Sequence, residues 1–168
     1  VLPALKGKID GISIRVPTAT VSIVDLAVEL AKPADDKAIN AAYKSAAEGA
    51  LKEGLALAPR DARLHFRLGV VYDKWDRKED SIASMRTVLA LEPENAGALN
   101  YLGYTFADLG RNLDEAERLV QEAMKHKPND GYITDSLGWV YYKQGQYDKA
   151  VHFLLEAVRL VPDDPVIL

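Results

Sequence analysis

Hydrophobic positions recur with two different periods along this chain. From about residue 62 onward, apolar residues return at helical spacing, and a Leu-Gly pair followed by an aromatic residue recurs about every 34 residues. The pairs are Leu68-Gly69, Leu102-Gly103 and Leu137-Gly138, and the aromatic residues are Tyr72, Phe106 and Tyr141. An interval of this length is typical of arrays in which each repeat is a pair of helices. The pattern therefore predicts three helix pairs.

Glycines, acidic residues and prolines mark the ends of these helices. Gly110 and Gly145 stand where the first helix of a pair, helix A, ends. Asp114 and Asp148 lie near the start of the second helix, helix B, where a carboxylate suits the helix dipole. Pro93, Pro128 and Pro162 follow the B helices. The predicted pairs are 62–76 with 79–91, 96–109 with 114–126, and 132–144 with 147–160.

The small residues of the pattern indicate close helix contacts. Gly69, Gly103 and Gly138 allow helix A to approach helix B, and Ala116 and Ala150 do the same from helix B. This combination resembles the tetratricopeptide repeat family. The resemblance implies a superhelix whose A helices line an inner groove that binds a peptide or protein segment.

The resemblance also indicates which residues face that groove. They are Arg63, Phe66, Val70, Asn100, Tyr104, Tyr132, Asp135, Trp139 and Lys143. Some family members clamp a terminal carboxylate with Lys, Asn and Arg, but Phe66, Val70, Tyr101 and Ser136 stand near those places here. We therefore expect an aromatic groove of mixed charge without that clamp. The alternative is that these aromatic residues only pack one repeat against the next.

The first third of the chain has a period of two. Apolar residues alternate with other residues in two runs, which comprise Ile12, Ile14 and Val16, and then Val24, Leu26, Val28 and Leu30. This alternation predicts two strands joined as an antiparallel hairpin. A helix start follows at residues 33–36. We therefore predict an α+β fold, in which a short hairpin and helix (1–58) are fused through a shared helix to an all-α superhelix of three repeats (59–168).

Four short sequence motifs occur in this first third. They are VLPALKGKIDG at 1–11, RVPT at 15–18, VSIVDL at 21–26 and AEGALK at 47–52. In this order they make the segment resemble part of the catalytic domain of glyceraldehyde-3-phosphate dehydrogenase, and the resemblance gives Arg15 a vestigial phosphate-binding position. The family's Cys nucleophile, His base and nicotinamide-binding domain lie outside this segment. We therefore expect no enzymatic activity, no catalytic residue and no cofactor.

The joint between the two patterns is in phase with the repeats. Pro59 lies one repeat interval before Pro93, so the dehydrogenase-like helix takes the place of a preceding helix B. This register favours an engineered chimeric scaffold. The alternative is a natural tetratricopeptide adaptor that binds a peptide or protein segment in its groove.

An isolated hairpin exposes the edges of its strands, and such edges pair with other chains. We therefore expect a homodimer formed through the strands, with Ile12, Ile14, Val16, Ile23 and Ala27 as self-association residues.

Composition narrows the chemistry further. The chain has no cysteine, which excludes disulfides and thiolate chemistry, and its net charge is only -4, without a basic patch for nucleic acid. No apolar run is long enough to cross a membrane, and the first residues do not resemble a signal peptide. His65, His126 and His152 are scattered, so we expect no metal site. These features together favour a cytoplasmic protein, recombinant if the chain is engineered, and they leave the native compartment undetermined.

Overall fold

A computed structural model describes residues 10–15, 22–27 and 36–162. Packing divides the chain into two compact units, Val1–Ser45 and Ala46–Leu168. In the first unit, β1 (Asp10–Arg15) and β2 (Ser22–Ala27) pair in antiparallel register, with Asp10 opposite Ala27. Helix α1 (Asp36–Leu57) begins in the first unit and ends in the second. It continues through Gly49 and Gly54, as the shared-helix hypothesis requires.

The predicted α+β class is wrong, because the fold is an all-α repeat fold. The sheet that the structure describes consists of β1 and β2 alone, and each is six residues long. An α+β fold needs a sheet broad enough to form a layer against helices, and two short strands do not supply one. On the helices, the buried apolar side chains lie between Ala62 and Ala157.

Six helices after α1 form the three predicted pairs. The A helices are α2 (Ala62–Lys74), α4 (Ala96–Asp108) and α6 (Gly131–Lys143), and the B helices are α3 (Lys78–Leu91), α5 (Leu113–His126) and α7 (Tyr147–Leu160). Each A helix packs on its own B helix, and α3 and α5 also pack on the A helix that follows. The predicted boundaries are confirmed to within about two residues.

Each A helix ends in the same left-handed turn. Gly110 and Gly145 have φ of 64° and 76°, and Asp76 adopts φ of 59° at the corresponding place of the first pair. The next residue then donates its backbone N–H to the carbonyl of the repeated aromatic residue, as Arg111 does to Phe106 at 3.1 Å. This is the hydrogen bond of a Schellman ending. The aromatic residue of the repeat therefore lies at the point where the chain reverses.

The A helices begin at capping residues that sequence reasoning did not single out. Asp61, Asn95 and Asp130 precede α2, α4 and α6, and their side chains accept backbone N–H groups of the first turn. Such caps stabilise a helix by about 1 kcal/mol each. They also fix the residue at which each A helix starts. The position of its side chains along the helix axis follows from that.

The second half of α1 is tied to the first repeat by a polar cluster. The Glu48 carboxylate accepts the Tyr72 hydroxyl at 3.2 Å and pairs with Arg77 at 3.1 Å and Lys52 at 2.7 Å. The guanidinium of Arg77 also lies 4.2 Å above the Tyr72 ring. A residue of the dehydrogenase-like segment thus contacts the first repeat.

None of the helices in the described residues has the length and apolar character needed to span a bilayer.

Candidate binding face on the A helices

Successive A helices carry side chains at equivalent repeat positions, which we call the A-helix face. This face consists of Phe66, Val70 and Asp73 on α2, Asn100, Tyr104 and Asp108 on α4, and Asp135, Trp139, Tyr142 and Lys143 on α6. Phe66, Asn100 and Asp135 share one position of the repeat, and Val70, Tyr104 and Trp139 share the position one turn later. The face therefore presents a different side chain at the equivalent position of each repeat.

The polar side chains that meet between α2 and α4 are paired with one another. The Tyr101 hydroxyl donates to Asp73 at 2.8 Å, and the Lys78 ammonium lies 2.7 Å from the same carboxylate. Burial alone would raise the pKa of Asp73, but these two donors outweigh it and lower that pKa. Burial and the nearby Asp73 carboxylate raise the pKa of Tyr101. Phe66 meets Tyr101 edge to face at 5.9 Å. This part of the face therefore has its charge balanced internally.

Between α4 and α6, part of the aromatic surface is exposed to solvent. Tyr104 is 42% exposed, and burial, followed by the charges of Asp108 and Asp135, raises its pKa. Trp139 stacks on Tyr142 with ring centroids 5.2 Å apart. The Lys143 ammonium lies 4.9 Å from the Trp139 ring centroid and donates to the Asp108 carbonyl oxygen at 3.3 Å. Tyr104 and Trp139 therefore lie in a polar, partly open region.

Asp135 differs from the other acidic residues of the face. Its carboxylate is half-buried and has no hydrogen bond or ion pair with any residue that the structure describes. Burial raises its pKa, and no lowering contribution opposes this. Asp73 carries the same formal charge but holds both a cation and a hydroxyl donor. Asp135 is therefore a carboxylate that the repeats leave without a counter-ion in the described part of the chain.

Two further polar atoms on this face are buried without a partner. They are Oδ1 of Asn100, an acceptor, and Nε1 of Trp139, a donor. Burying a polar atom without a hydrogen bond costs about 1–3 kcal/mol, so native proteins rarely leave such atoms unpaired. The two unpaired atoms lie on neighbouring A helices, where Asn100 is one helical turn before Tyr104 and Trp139 is one helical turn after Asp135.

The structure brings together most of the residues predicted for the groove. Asn100, Tyr104, Asp135, Trp139 and Lys143 lie on the adjacent helices α4 and α6. The remaining four are used differently: Val70 and Phe66 pack against the core, Tyr132 is 44% exposed at the start of α6, and Arg63 pairs with Asp61 at 2.8 Å at the start of α2. That these residues bind a ligand stays a prediction.

The other predicted site residues lie in the front unit. Arg15 ends β1, and Ile12, Ile14, Ile23 and Ala27 belong to the two paired strands. Val16 lies outside the described residues. Neither the self-association of these strands nor a vestigial phosphate role for Arg15 is tested by this geometry. No group of ligands suited to a metal ion occurs among the residues that the structure describes.

Sequence reasoning missed Tyr142 of the A-helix face and Lys78, a B-helix residue whose ammonium contacts that face. Lys78 begins helix α3, yet it pairs with Asp73 on α2 and lies 4.0 Å from Asp108 on α4. Tyr142 forms the stacking partner of Trp139. The helical spacing of Trp139 and Tyr142 was a usable signal, because residues three apart on a helix are neighbours. No repeat-position signal marks Lys78, which belongs to a B helix.

Comparison with known protein families gives two separate matches. Residues 1–63 match the C-terminal domain of glyceraldehyde-3-phosphate dehydrogenase. Residues 76–130 and 135–164 match tetratricopeptide repeat models. Both resemblances inferred from the sequence are thereby confirmed.

Individual relatives divide in the same way. A TPR repeat-containing protein of Pseudomonas aeruginosa is 34% identical over 160 residues, which is 95% of this chain but 27% of that protein. The glyceraldehyde-3-phosphate dehydrogenase 1 of Bacillus cereus is 62% identical over 52 residues, which is 31% of this chain and 16% of the enzyme. The chain therefore spans about a quarter or less of the length of these curated relatives.

Solved structures support the repeat fold. The crystal structure of the MamA protein superposes with a TM-score of 0.62 at 24% identity and covers 73% of this chain and 66% of that one. PilF of Pseudomonas aeruginosa superposes with a TM-score of 0.67 at 22% identity and covers 77% of this chain and 59% of that one. Identities this low speak for the shared fold alone. The chain therefore joins two families: residues 1–63 match the glyceraldehyde-3-phosphate dehydrogenase C-terminal domain, and residues 76–164 are tetratricopeptide repeats.

Proposed function

We propose that this protein is a non-enzymatic helical scaffold whose A-helix face binds an extended peptide segment of a partner protein. One observation carries the proposal: Asn100 and Trp139 each bury an unpartnered polar atom on neighbouring A helices. One atom needs a donor and the other needs an acceptor. A peptide backbone in extended conformation offers both, because each non-proline residue carries one N–H and one C=O.

A peptide reaches these buried atoms only if their side chains rotate, which we expect on binding. Asn100 is only half-buried as a residue, and a rotation of its terminal amide exchanges Oδ1 and Nδ2. Trp139 is also half-buried, beside the exposed ring of Tyr142. Aromatic rings of this kind supply large contact area at low entropic cost and are enriched at binding hot spots. Trp139 also packs against the buried core, so part of its ring serves the alternative role of packing the repeats.

A peptide-display selection on the full chain tests this proposal, with affinities of the selected peptides then measured by calorimetry. Trp139→Phe keeps a ring but removes the indole N–H, and we expect up to about 10-fold weaker binding from the loss of one hydrogen bond. Trp75→Phe is the matched control, because Trp75 follows α2 and lies against Tyr72, outside the A-helix face. Failure to select any peptide, or equal affinity of both variants, would contradict the proposal.

The dehydrogenase-like segment supports a structural part in this scaffold. It corresponds to a small fraction of the enzyme, and the chain has no cysteine to act as the family's nucleophile. Glu48 from this segment instead contacts Tyr72 and Arg77 of the first repeat. We expect no dehydrogenase turnover with glyceraldehyde 3-phosphate and the nicotinamide cofactor. Measurable turnover by the purified chain would show this expectation to be wrong.

The engineered origin stays our prediction, and it rests on the phase of Pro59 with the repeats. The alternative, a natural adaptor, draws support from the 160-residue alignment with the Pseudomonas aeruginosa repeat protein, which must also run through much of the dehydrogenase-like segment. An uninterrupted reading frame across residues 55–62 in a genome would exclude an engineered joint. Both origins are compatible with the scaffold role.

Self-association through the hairpin is a second proposal. In the described residues β1 and β2 pair only with each other, so each strand presents one unpaired edge. Such edges recruit further strands, and a two-fold dimer would place the two hairpins in one sheet. We expect Ile23→Lys or Ala27→Pro to shift the mass measured by light scattering toward the monomer. A parent protein that is monomeric at micromolar concentration would exclude this proposal.

A further inference from the structure

We propose that the A-helix face selects an arginine side chain of the bound peptide, with Asp135 as the counter-ion beside Tyr104 and Trp139. This inference rests on the proposed peptide-binding function and adds the chemical class of the residue that is recognised. It follows from comparing how the acidic residues of the face are neutralised.

The other carboxylates of the face already have cations. Asp73 pairs with Lys78 at 2.7 Å, and the same ammonium lies 4.0 Å from Asp108. The Lys143 ammonium is occupied by the Trp139 ring and the Asp108 carbonyl oxygen. Asp135 has neither a cation nor a hydrogen-bond donor among the described residues, although it is half-buried. A half-buried carboxylate without a partner is costly, so a bound cation there gains more than at an exposed site.

A second acceptor without a donor lies at the equivalent position of the neighbouring repeat. Asn100 precedes Asp135 by one repeat interval, and its Oδ1 is buried and unpaired. Two unsatisfied acceptors in adjacent repeats indicate a ligand rich in donors. A peptide satisfies this requirement when its backbone N–H meets Asn100 and a cationic side chain reaches Asp135. An anionic ligand would meet these two acceptors and only one unpaired donor, Nε1 of Trp139, and is therefore disfavoured.

The neighbouring rings favour arginine over lysine. Trp139 lies one helical turn after Asp135 on α6, and Tyr104 lies close enough on α4 for the charge of Asp135 to raise its pKa. A guanidinium presents its donors in a planar fork that matches a carboxylate, and it also stacks on aromatic faces. The 42% exposed ring of Tyr104 offers such a face, whereas the Trp139 ring already contacts Tyr142 and Lys143. An ammonium lacks this planar geometry. A metal ion is a poorer fit, because no cluster of metal ligands occurs on this face or elsewhere in the described residues.

Binding of defined peptide pools by fluorescence polarisation tests the inference on the full chain. Three pools of short labelled peptides carry arginine, citrulline or glutamate at one central position and random uncharged residues elsewhere. Citrulline keeps the shape and most donors of arginine without the charge. We expect the arginine pool to bind about 10-fold tighter than the citrulline pool, since hydrogen bonds between charged groups are stronger than those made by a neutral donor.

Asp135→Asn should abolish that preference while leaving the protein folded. Glu53→Gln is the matched control, because it removes the same charge from an exposed residue of α1 and should leave the preference intact. Equal binding of the three pools, or a preference that survives Asp135→Asn, would overturn the arginine inference and leave peptide binding standing. Absence of binding by every pool to the folded wild-type chain would overturn both.

Discussion

The front unit and the repeat unit differ in what stabilises them. The segment with the higher identity to a known family, 62% over 52 residues, contributes two strands that pair with each other and the start of a helix. The repeats resemble the solved structures MamA and PilF at only 24% and 22% identity, yet they contain a continuous core. Phe106, Leu102 and Leu137 in that core are at most 2% exposed.

This difference shows that family similarity and structural completeness are separate properties. A repeat buries its apolar face on the neighbouring repeat, so three consecutive helix pairs supply one another's core. A sheet of two short strands, by contrast, offers too little surface to form a comparable core by itself. In the second half of α1, Glu48 contacts Tyr72 and Arg77 of the first repeat.

The largest expected loss of stability comes from truncating a large side chain in the repeat core. Phe106→Ala removes a ring that is 1% exposed, and we expect a loss of about 3–5 kcal/mol in the free energy of unfolding, because the site cannot fully collapse. Urea unfolding followed by far-UV circular dichroism measures this loss. Deleting residues 1–35, which removes both strands, is the contrasting variant and should leave the urea midpoint of the helices almost unchanged. A similar loss in both variants would break the contrast between the two units.

Overpacking a helix contact within the repeats should have the next largest effect. A Cβ at Gly103 would lie 2.6 Å from Val120 Cγ2 and 3.0 Å from the Ala116 carbonyl oxygen. The carbonyl cannot move without displacing α5, so Gly103→Ala should destabilise the protein by about 1–3 kcal/mol. Thermal unfolding of the variant measures this change. An unchanged or raised midpoint would show that α4 and α5 are not packed as tightly as described.

Replacing a glycine of α1 by alanine should stabilise the protein, unlike the same replacement at Gly103. Gly49 lies inside α1 with no described atom within 4 Å of an added Cβ, so Gly49→Ala should stabilise the protein by up to about 1 kcal/mol through helix propensity. Gly54→Ala should gain less, because its Cβ would lie 3.2 Å from Leu64 Cδ1. Comparing the two melting temperatures tests the continuity of α1. Destabilisation at Gly49 would indicate that the helix is interrupted there.

Two carboxylates of the A-helix face should respond to pH in opposite directions. The pKa of Asp73 is lowered in the folded state, so its stabilising contribution is present above the pKa of the unfolded chain and is lost as the pH falls through the lower folded value. The pKa of Asp135 is raised, so ionisation destabilises the fold, and stability is gained as the pH falls through its folded pKa.

At neutral pH we therefore expect Asp73→Asn to destabilise the protein by about 1 kcal/mol, and Asp135→Asn to stabilise it slightly. The gain at Asp135 should disappear below about pH 4, where the carboxyl is protonated in both states. Urea unfolding across a pH series measures both profiles. If both substitutions destabilised the protein at neutral pH, Asp135 would hold a counter-ion in the free protein. That result would remove the basis of the arginine inference.

The sequence by itself determined the helical repeats of this protein. The interval of the Leu-Gly pairs, the helix-ending Gly110 and Gly145 and the continuity of α1 were all predicted, because periodicity and turn preferences are local properties of the chain. The fold class was predicted wrongly, since alternation in two short segments indicates strands but does not supply the rest of a sheet.

Only the tertiary structure decided which polar groups of the A-helix face are satisfied. The pairing of Lys78 with Asp73 joins helices of different type, and the isolation of Asp135 depends on the side chains of every neighbouring helix. The sequence placed Asn100, Asp135 and Trp139 on one face, but it gave no sign of their unpaired atoms. Charge balance and hydrogen bonding depend on distances of a few ångströms between residues far apart in the chain, and a local pattern does not encode those distances.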